Sequence, residues 1–281
     1  MALFDRLLRP KKQGVRVTEH TKTRESGRSA RRLSYQAANL QMIGARERQE
    51  DSFAILNAMD VTQILQYGLF AIVADGMGGM QDGRQVSAAA VTECIGLFHS
   101  LDRGGNIPKQ LYDGIHNTNA CLFERFKGQG GTTAVLGLFY NEHLYWASVG
   151  DSAIYLKRGN GLFQLNKEHT YANELYLDEL YKENIDKTRV EENEDGIRLS
   201  SFLGMDSLTE VDFNKRPLRL KAGDTLLFCS DGISGTLCEE EIMDALSLTP
   251  PEACACLNDG IVQKARRKQD NYTGLIINCQ I

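Results

Sequence analysis

Three apolar runs in this chain each end on an aspartate beside a small residue: Leu69-Phe70-Ala71-Ile72-Val73-Ala74-Asp75-Gly76, Leu144-Tyr145-Trp146-Ala147-Ser148-Val149-Gly150-Asp151 and Leu226-Leu227-Phe228-Cys229-Ser230-Asp231-Gly232. Strand ends of this kind can gather carboxylates at one place. Glu50-Asp51 upstream and Asp270 before Asn271 near the C-terminus bring the widely spaced acidic segments to five. Such oxygen ligands suit hard divalent cations, Mg²⁺ or Mn²⁺ above all. In Asp75-Gly76-Met77-Gly78-Gly79 the glycine after the acid lets the backbone approach closely and can free its carbonyl as a further ligand. Two such ions activate water and neutralise phosphate oxygens during in-line displacement, so phosphoester hydrolysis is the natural use. Taken singly each motif is weak, because Asp-Gly is a common turn.

The elements that must carry these residues are legible in outline. Positions 86–101 and 111–126 carry apolar residues at three- and four-residue spacing and predict helices. The stretches 132–140, 144–148 and 153–157 predict successive strands, with Asn141-Glu142-His143 as a hairpin turn. Strands so close together lack the helical crossovers of a parallel sheet, which points to an α+β fold with antiparallel pairing. Further strands are expected over 218–220, 225–230 and 272–279, and helices over 239–246 and 251–268. Ser87-Ala88-Ala89-Ala90 should pack a helix tightly against a sheet. The charged stretch 166–207 is expected to lie over the body as an exposed insertion.

With 281 residues, 42% hydrophobic and 25% charged, the composition is that of a globular protein of one large or two small domains. The formal charge of -5 hides an asymmetry: residues 1–35 hold ten Lys/Arg against three Asp/Glu, leaving 22 against 34 in the rest. An acidic body disfavours nucleic-acid binding. Residues 1–34 are basic and polar and predict a flexible tail. Within it Leu3-Phe4-Leu7-Leu8 could dock on a partner or a membrane surface, and Thr18, Thr21, Thr23, Ser26 and Ser29 could carry regulatory phosphates. No apolar stretch approaches the roughly 20 residues needed to span a bilayer, and Met1-Ala2-Leu3-Phe4-Asp5 does not open like a secretory signal, so a soluble, cytoplasmic protein is expected. The seven cysteines, odd in number and without a CxxC pair, read as reduced, buried thiols, Cys254-x-Cys256 as part of the core. His20, His99, His116 and His143 lack zinc-ligand spacing.

The ordered set of motifs is more specific than any member. From about Ser34 onward, Arg46-Glu47-Arg48-Gln49-Glu50-Asp51-Ser52, Val73-Ala74-Asp75-Gly76-Met77-Gly78-Gly79, Gly131-Thr132-Thr133-Ala134, Val149-Gly150-Asp151-Ser152, Cys229-Ser230-Asp231-Gly232 and Asp270-Asn271-Tyr272-Thr273 follow one another. In these the chain resembles the metal-dependent serine/threonine protein phosphatases of type 2C, the PPM family, in its bacterial form. The resemblance implies a catalytic domain over 35–281 with a flap at about 166–207. Its fold would be a four-layer α-β-β-α sandwich of two antiparallel sheets flanked by helices. It also implies hydrolysis of phosphoserine and phosphothreonine by a water bridging two Mn²⁺ or Mg²⁺ ions, with phosphorylated proteins as substrates and a bacterial Ser/Thr kinase as the opposing partner.

By the same resemblance Asp75 bridges the two metals and Gly76 lends its carbonyl. Asp51, with Glu50 beside it, serves one ion, and Asp231 and Asp270 complete the other. Arg46 grips the substrate phosphate, for which a guanidinium has the planar fork. Asp151 would serve a third ion. Several positions depart from the family pattern. Gln49 stands for Asn, Ala153 for Arg, and Met77 stands where some relatives carry a histidine proposed as general acid. Gly235 replaces an aspartate expected to help hold the third ion, so that site should be weakened. His169, in a turn leading into the flap, is expected to hydrogen-bond rather than to catalyse. The competing readings are a phosphatase for other phosphoesters and a pseudophosphatase acting as a binding module.

Overall fold

The computed structural model describes residues 32–77, 83–182, 187–191, 193 and 195–281. The basic tail expected over 1–34, with its apolar turn and its hydroxyl residues, lies outside the described residues as far as Arg31, and Ser34 already belongs to a strand. One sheet has five strands in the order β1 (Ser34–Met42), β11 (Tyr272–Gln280), β10 (Thr225–Cys229), β6 (Ala153–Arg158) and β7 (Gly161–Gln164). The other runs β2 (Ser52–Leu56), β3 (Leu69–Ala74), β4 (Ala134–Tyr140), β5 (His143–Val149) and β8 (Asp212–Phe213), with β9 (Leu218–Arg219) also on β5. Every pairing described is antiparallel.

Alternation along the strands sets the layers. All of β3 is buried because its two faces meet different cores. Leu69, Ala71 and Val73 face Phe228, Leu275 and Ile277 of the other sheet, whereas Phe70, Ile72 and Ala74 pack with the helices outside. Those helices are α2 (Gly83–Ser100) and α3 (Ile107–Phe126), which follow the short α1 (Val61–Tyr67). On the opposite face α6 (Asp231–Ser234), α7 (Glu239–Ala245) and α8 (Pro250–Lys264) cover Leu227, Cys229 and Ile276. The result is the expected four-layer α-β-β-α sandwich. In the β4–β5 hairpin Asn141 and Glu142 both take positive φ, the two-residue turn that matches strand twist. Ser87, Ala89 and Ala90 are buried on the α2 face that meets the sheet.

Three expectations need correction. The stretch 166–207 is not simply exposed: Asn166, His169 and Thr170 at one end, and Ser201 and Leu203 at the other, are buried. Between them lie α4 (Tyr171–Leu180) and α5 (Lys187–Glu191). The helix expected to reach 268 stops at Lys264, because Ala265 turns left-handed at φ 49. Although all seven cysteines are unpaired, Cys121, Cys238 and Cys256 are exposed and Cys254 is half-buried. Helix α8 turns Ala253, Leu257 and Ile261 inward at four-residue spacing, which leaves Cys254 packed at the edge of the core and turns Cys256 to the surface.

Candidate active site

Strand register alone brings the acidic residues to one end of the sandwich. Ser52 pairs with Ala74, so Asp51 just before β2 meets Asp75 just after β3. Cys229 pairs with both Gly274 and Ala153, which sets Asp231, Asp270 and Asp151 around the same end of the other sheet. Met42 pairs with Tyr272, and the loop that follows carries Arg46 to the rim. Gly76 is required where these loops cross, since a Cβ there would come within 2.5 Å of the Glu50 carbonyl oxygen. Glu50 thereby lies against Asp75-Gly76.

The carboxylates feel one another strongly. Burial, followed by the charges of Asp51, Asp231 and Asp151, holds Asp75 well above the usual aspartate range. Asp51 is pushed up to about 6, mainly by burial, with Asp231 adding to it. Asp151 is pushed up to about 7 by burial and then by Asp231, with smaller effects of Glu168 and Asp270. Asp231 is raised as well, chiefly by burial. Asp51 Oδ1 and Asp231 Oδ1 are buried without a hydrogen-bond partner. Like charges buried together, with oxygens left unpaired, fit a site for divalent cations. Among the described residues no three Asp, Glu, His or Cys side chains close on one point as a ready-made cage. An ion here would draw on few side chains at a time, together with a backbone carbonyl and water, the manner in which Mg²⁺ is commonly held.

Arg46 stands at the edge, with Nη2 2.5 Å from Asp270 Oδ2 and both side chains partly exposed. The charges of Glu50 and Asp231 reach it too. The structure thus gathers Arg46, Glu50, Asp51, Asp75, Gly76, Asp151, Asp231 and Asp270 in one region. The Met77 side chain has no proton to offer, and the backbone N–H of the residue donates to the Gly131 carbonyl at 3.0 Å. At Gly235, where the resemblance has an aspartate, the backbone carbonyl accepts from Arg266 Nη1 at 2.8 Å. His169 is buried, accepts the Gly150 N–H on Nδ1 at 3.0 Å and donates its backbone N–H to the Gly150 carbonyl at 2.9 Å. Burial lowers its pKa, in keeping with a neutral ring that supports the turn before Asp151.

Several supporting residues carried no role in the sequence reading. Thr133 Oγ1 accepts the Asp75 N–H at 3.1 Å, while Thr132 Oγ1 and the Thr133 N–H donate to the Asp75 carbonyl at 2.7 and 2.9 Å. Ser230 Oγ donates to Asp51 Oδ2 at 2.8 Å. Asn271 donates from Nδ2 to the carbonyls of Ile43 and Arg48 and accepts the Glu50 N–H at 2.7 Å. Thr132, Thr133 and Asn271 lie inside recognisable motifs, but their hydrogen bonds join segments far apart in the chain.

A sandwich of two antiparallel sheets with carboxylates and an arginine at one end is the architecture of the 2C-type protein phosphatases. The family model described as Protein phosphatase 2C matches residues 37–175. The chain is 30% identical to the serine/threonine phosphatase stp of Listeria welshimeri over 218 residues, 73% of this chain and 82% of that protein. It belongs to the protein phosphatase 2C family. It is also 28% identical to the serine/threonine protein phosphatase PstP of Mycobacterium tuberculosis, but over only 34% of that longer protein and 63% of this chain. The crystal structure of M. tuberculosis PstP/Ppp superposes with a TM-score of 0.71 at 24% identity, covering 88% of this chain and 99% of that one. The PstP catalytic domain solved with two manganese ions gives a TM-score of 0.68 at 24% identity, covering 89% and 100%.

Proposed function

We propose that this chain is a metal-dependent protein phosphatase that hydrolyses phosphoserine and phosphothreonine in other proteins. The observation that carries the reading is the meeting of buried Asp51 with half-buried Asp75 and Asp231, mutually repelling and in part without partners, beneath an arginine at the rim. Asp75 would lie between two Mn²⁺ or Mg²⁺ ions, with Gly76 contributing its carbonyl. Asp51, with Glu50 beside it, would hold one ion and Asp231 with Asp270 the other. Bound there, the ions would lower the pKa of water and offset charge on the phosphate. Arg46 would receive two phosphate oxygens on its fork and fix the ester for in-line attack. Since Met77 stands where a general acid could be, the leaving alkoxide would take its proton from water. Asp151 would serve a third, weaker ion, because Gly235 brings no carboxylate.

The relatives' names support the substrate class, and such an activity requires an opposing Ser/Thr kinase within a signalling pair. Unpaired cysteines suit a reducing compartment, and we place the activity in the cytoplasm. Among the described residues no helix is long and apolar enough to cross a membrane. The Asp231→Asn variant should keep its circular dichroism and lose at least about a hundred-fold in Mn²⁺-supported turnover of a phosphothreonine peptide, since even supporting residues of metal sites cost 10–100-fold. Wild-type turnover by that variant would sink the assignment. Failure of the unmodified protein to bind Mn²⁺ in calorimetry would instead point to a binding module.

A further inference from the structure

Around the rim of the carboxylate cluster the charge reverses. Arg46 and Arg48 stand on the loop after β1, and Arg266, Arg267 and Lys268 on the loop after α8; all five are exposed. The two loops form one frame. The Ala45 N–H donates to the Gln269 carbonyl at 2.8 Å, and Asn271 Nδ2 ties down the carbonyls of Ile43 and Arg48 at 2.8 and 3.0 Å. Gly44 sits at φ +62 so close to the Asp270 carbonyl oxygen that no side chain fits. The cations are therefore carried on backbone that is fixed relative to the site.

The fold neutralises only some of these charges. Arg46 is paired with Asp270, and nearby Lys264 with Glu241 at 2.6 Å. Arg266 spends one N–H on the Gly235 carbonyl, a neutral acceptor that leaves its charge unbalanced. Among the described residues Arg48, Arg267 and Lys268 make no side-chain ion pair. Glu47 is the exposed acid on the same two loops, the remaining ones being Glu50, Asp51 and Asp270 of the cluster. Beyond residue 35 the chain carries 22 basic against 34 acidic residues, so this concentration of cations departs from the rest of the body.

We propose that this rim seats an acidic segment of the substrate protein, a few residues from the phosphorylated side chain. The proposal rests on the phosphatase reading and names the kind of sequence that site prefers: aspartate, glutamate or further phosphates beside the scissile one. Charges placed this way guide encounter and set register. Each exposed pair contributes up to about five-fold in affinity and weakens with salt.

The test uses the full chain with Mn²⁺ and three phosphothreonine peptides that differ only in flanking residues: acidic, alanine or lysine. Para-nitrophenyl phosphate serves as a substrate without flanks. The acidic peptide should exceed the lysine peptide in kcat/KM by about ten-fold, through KM, and the gap should shrink in 0.5 M salt (about two exposed pairs). Arg267→Glu with Lys268→Glu should abolish or invert the preference while para-nitrophenyl phosphate turnover stays unchanged, which also reports an intact fold. Arg48→Gln, from the other loop, should cost about three-fold on the acidic peptide alone. Flank-blind hydrolysis by the unmodified protein, or a preference that survives both variants, overturns the docking surface and leaves the phosphatase reading standing. No turnover of para-nitrophenyl phosphate overturns both.

Discussion

Thr133 shows how far the site depends on side chains that need hold no ligand themselves. Its hydroxyl accepts the Asp75 N–H at 3.1 Å and lies 2.7 Å from Ser152 Oγ, and its own N–H donates to the Asp75 carbonyl. Replacing Thr133 with valine keeps the shape but leaves that buried N–H without an acceptor, at a cost of about 1–3 kcal/mol. Melting should fall by several degrees and Mn²⁺ affinity by about ten-fold or more, while Thr133→Ser restores both. An unchanged calorimetric titration with Thr133→Val would show that Asp75 is positioned by something else. Asp75, Asp151 and Asp231 were legible in the sequence because each ends an apolar run, and Arg46, Asp51 and Asp270 because their motifs matched a family pattern. Thr133 was not: a threonine next to a strand is explained by β-propensity alone. Its direction is set by a partner 58 residues away.

At the scale of elements, helices α2 and α3 and the core strands followed from period and run length, because burial on one or both faces leaves that imprint. The stretch 166–207 did not, since its composition reports solvent-facing side chains and says nothing of backbone pairing. Leu203 exchanges two hydrogen bonds with Thr132, at 3.1 and 2.8 Å, and Thr132 bridges in turn to Gly76. A small ladder therefore joins the end of this stretch to the Asp75 turn. Buried Asn119 of α3 secures it, accepting the Gly204 N–H at 2.8 Å and donating to the Met205 carbonyl at 2.9 Å. Asn119→Ala should cost about 2–3 kcal/mol by leaving both backbone groups unpaired. Amide exchange over 203–205 should quicken before that of the central strands. Equal protection of those amides in variant and parent would mean that the Thr132 ladder holds this segment without help.

For the whole molecule, a functional site built from buried like charges has to show in stability. Without metal, Asp51 at about 6 and Asp151 at about 7 bind protons more tightly than aspartates of the unfolded chain, near 4, and Asp75 and Asp231 are raised in the same direction. Between about pH 4 and 7 the folded state therefore holds more protons than the unfolded one, so unfolding free energy falls as pH rises. A displacement from about 4 to about 6 is worth about 3 kcal/mol for one group, and coupled groups add less than their sum. The contribution is complete below the unfolded value and gone above the folded one. Metal-free protein should thus melt at progressively lower temperature from pH 5 to pH 7.5, apart from any general acid denaturation at lower pH. Divalent cations select the ionised carboxylates, so Mn²⁺ should raise the melting temperature most at pH 7.5 and least at pH 5. Asp231→Asn removes one of the repelling charges, and should therefore melt higher than the parent without metal at pH 7.5 and gain less from Mn²⁺. Thermal scans of both proteins with EDTA or Mn²⁺ at the two pH values decide it. Lower metal-free stability in the variant would mean that the cluster is held by hydrogen bonds that outweigh its repulsion.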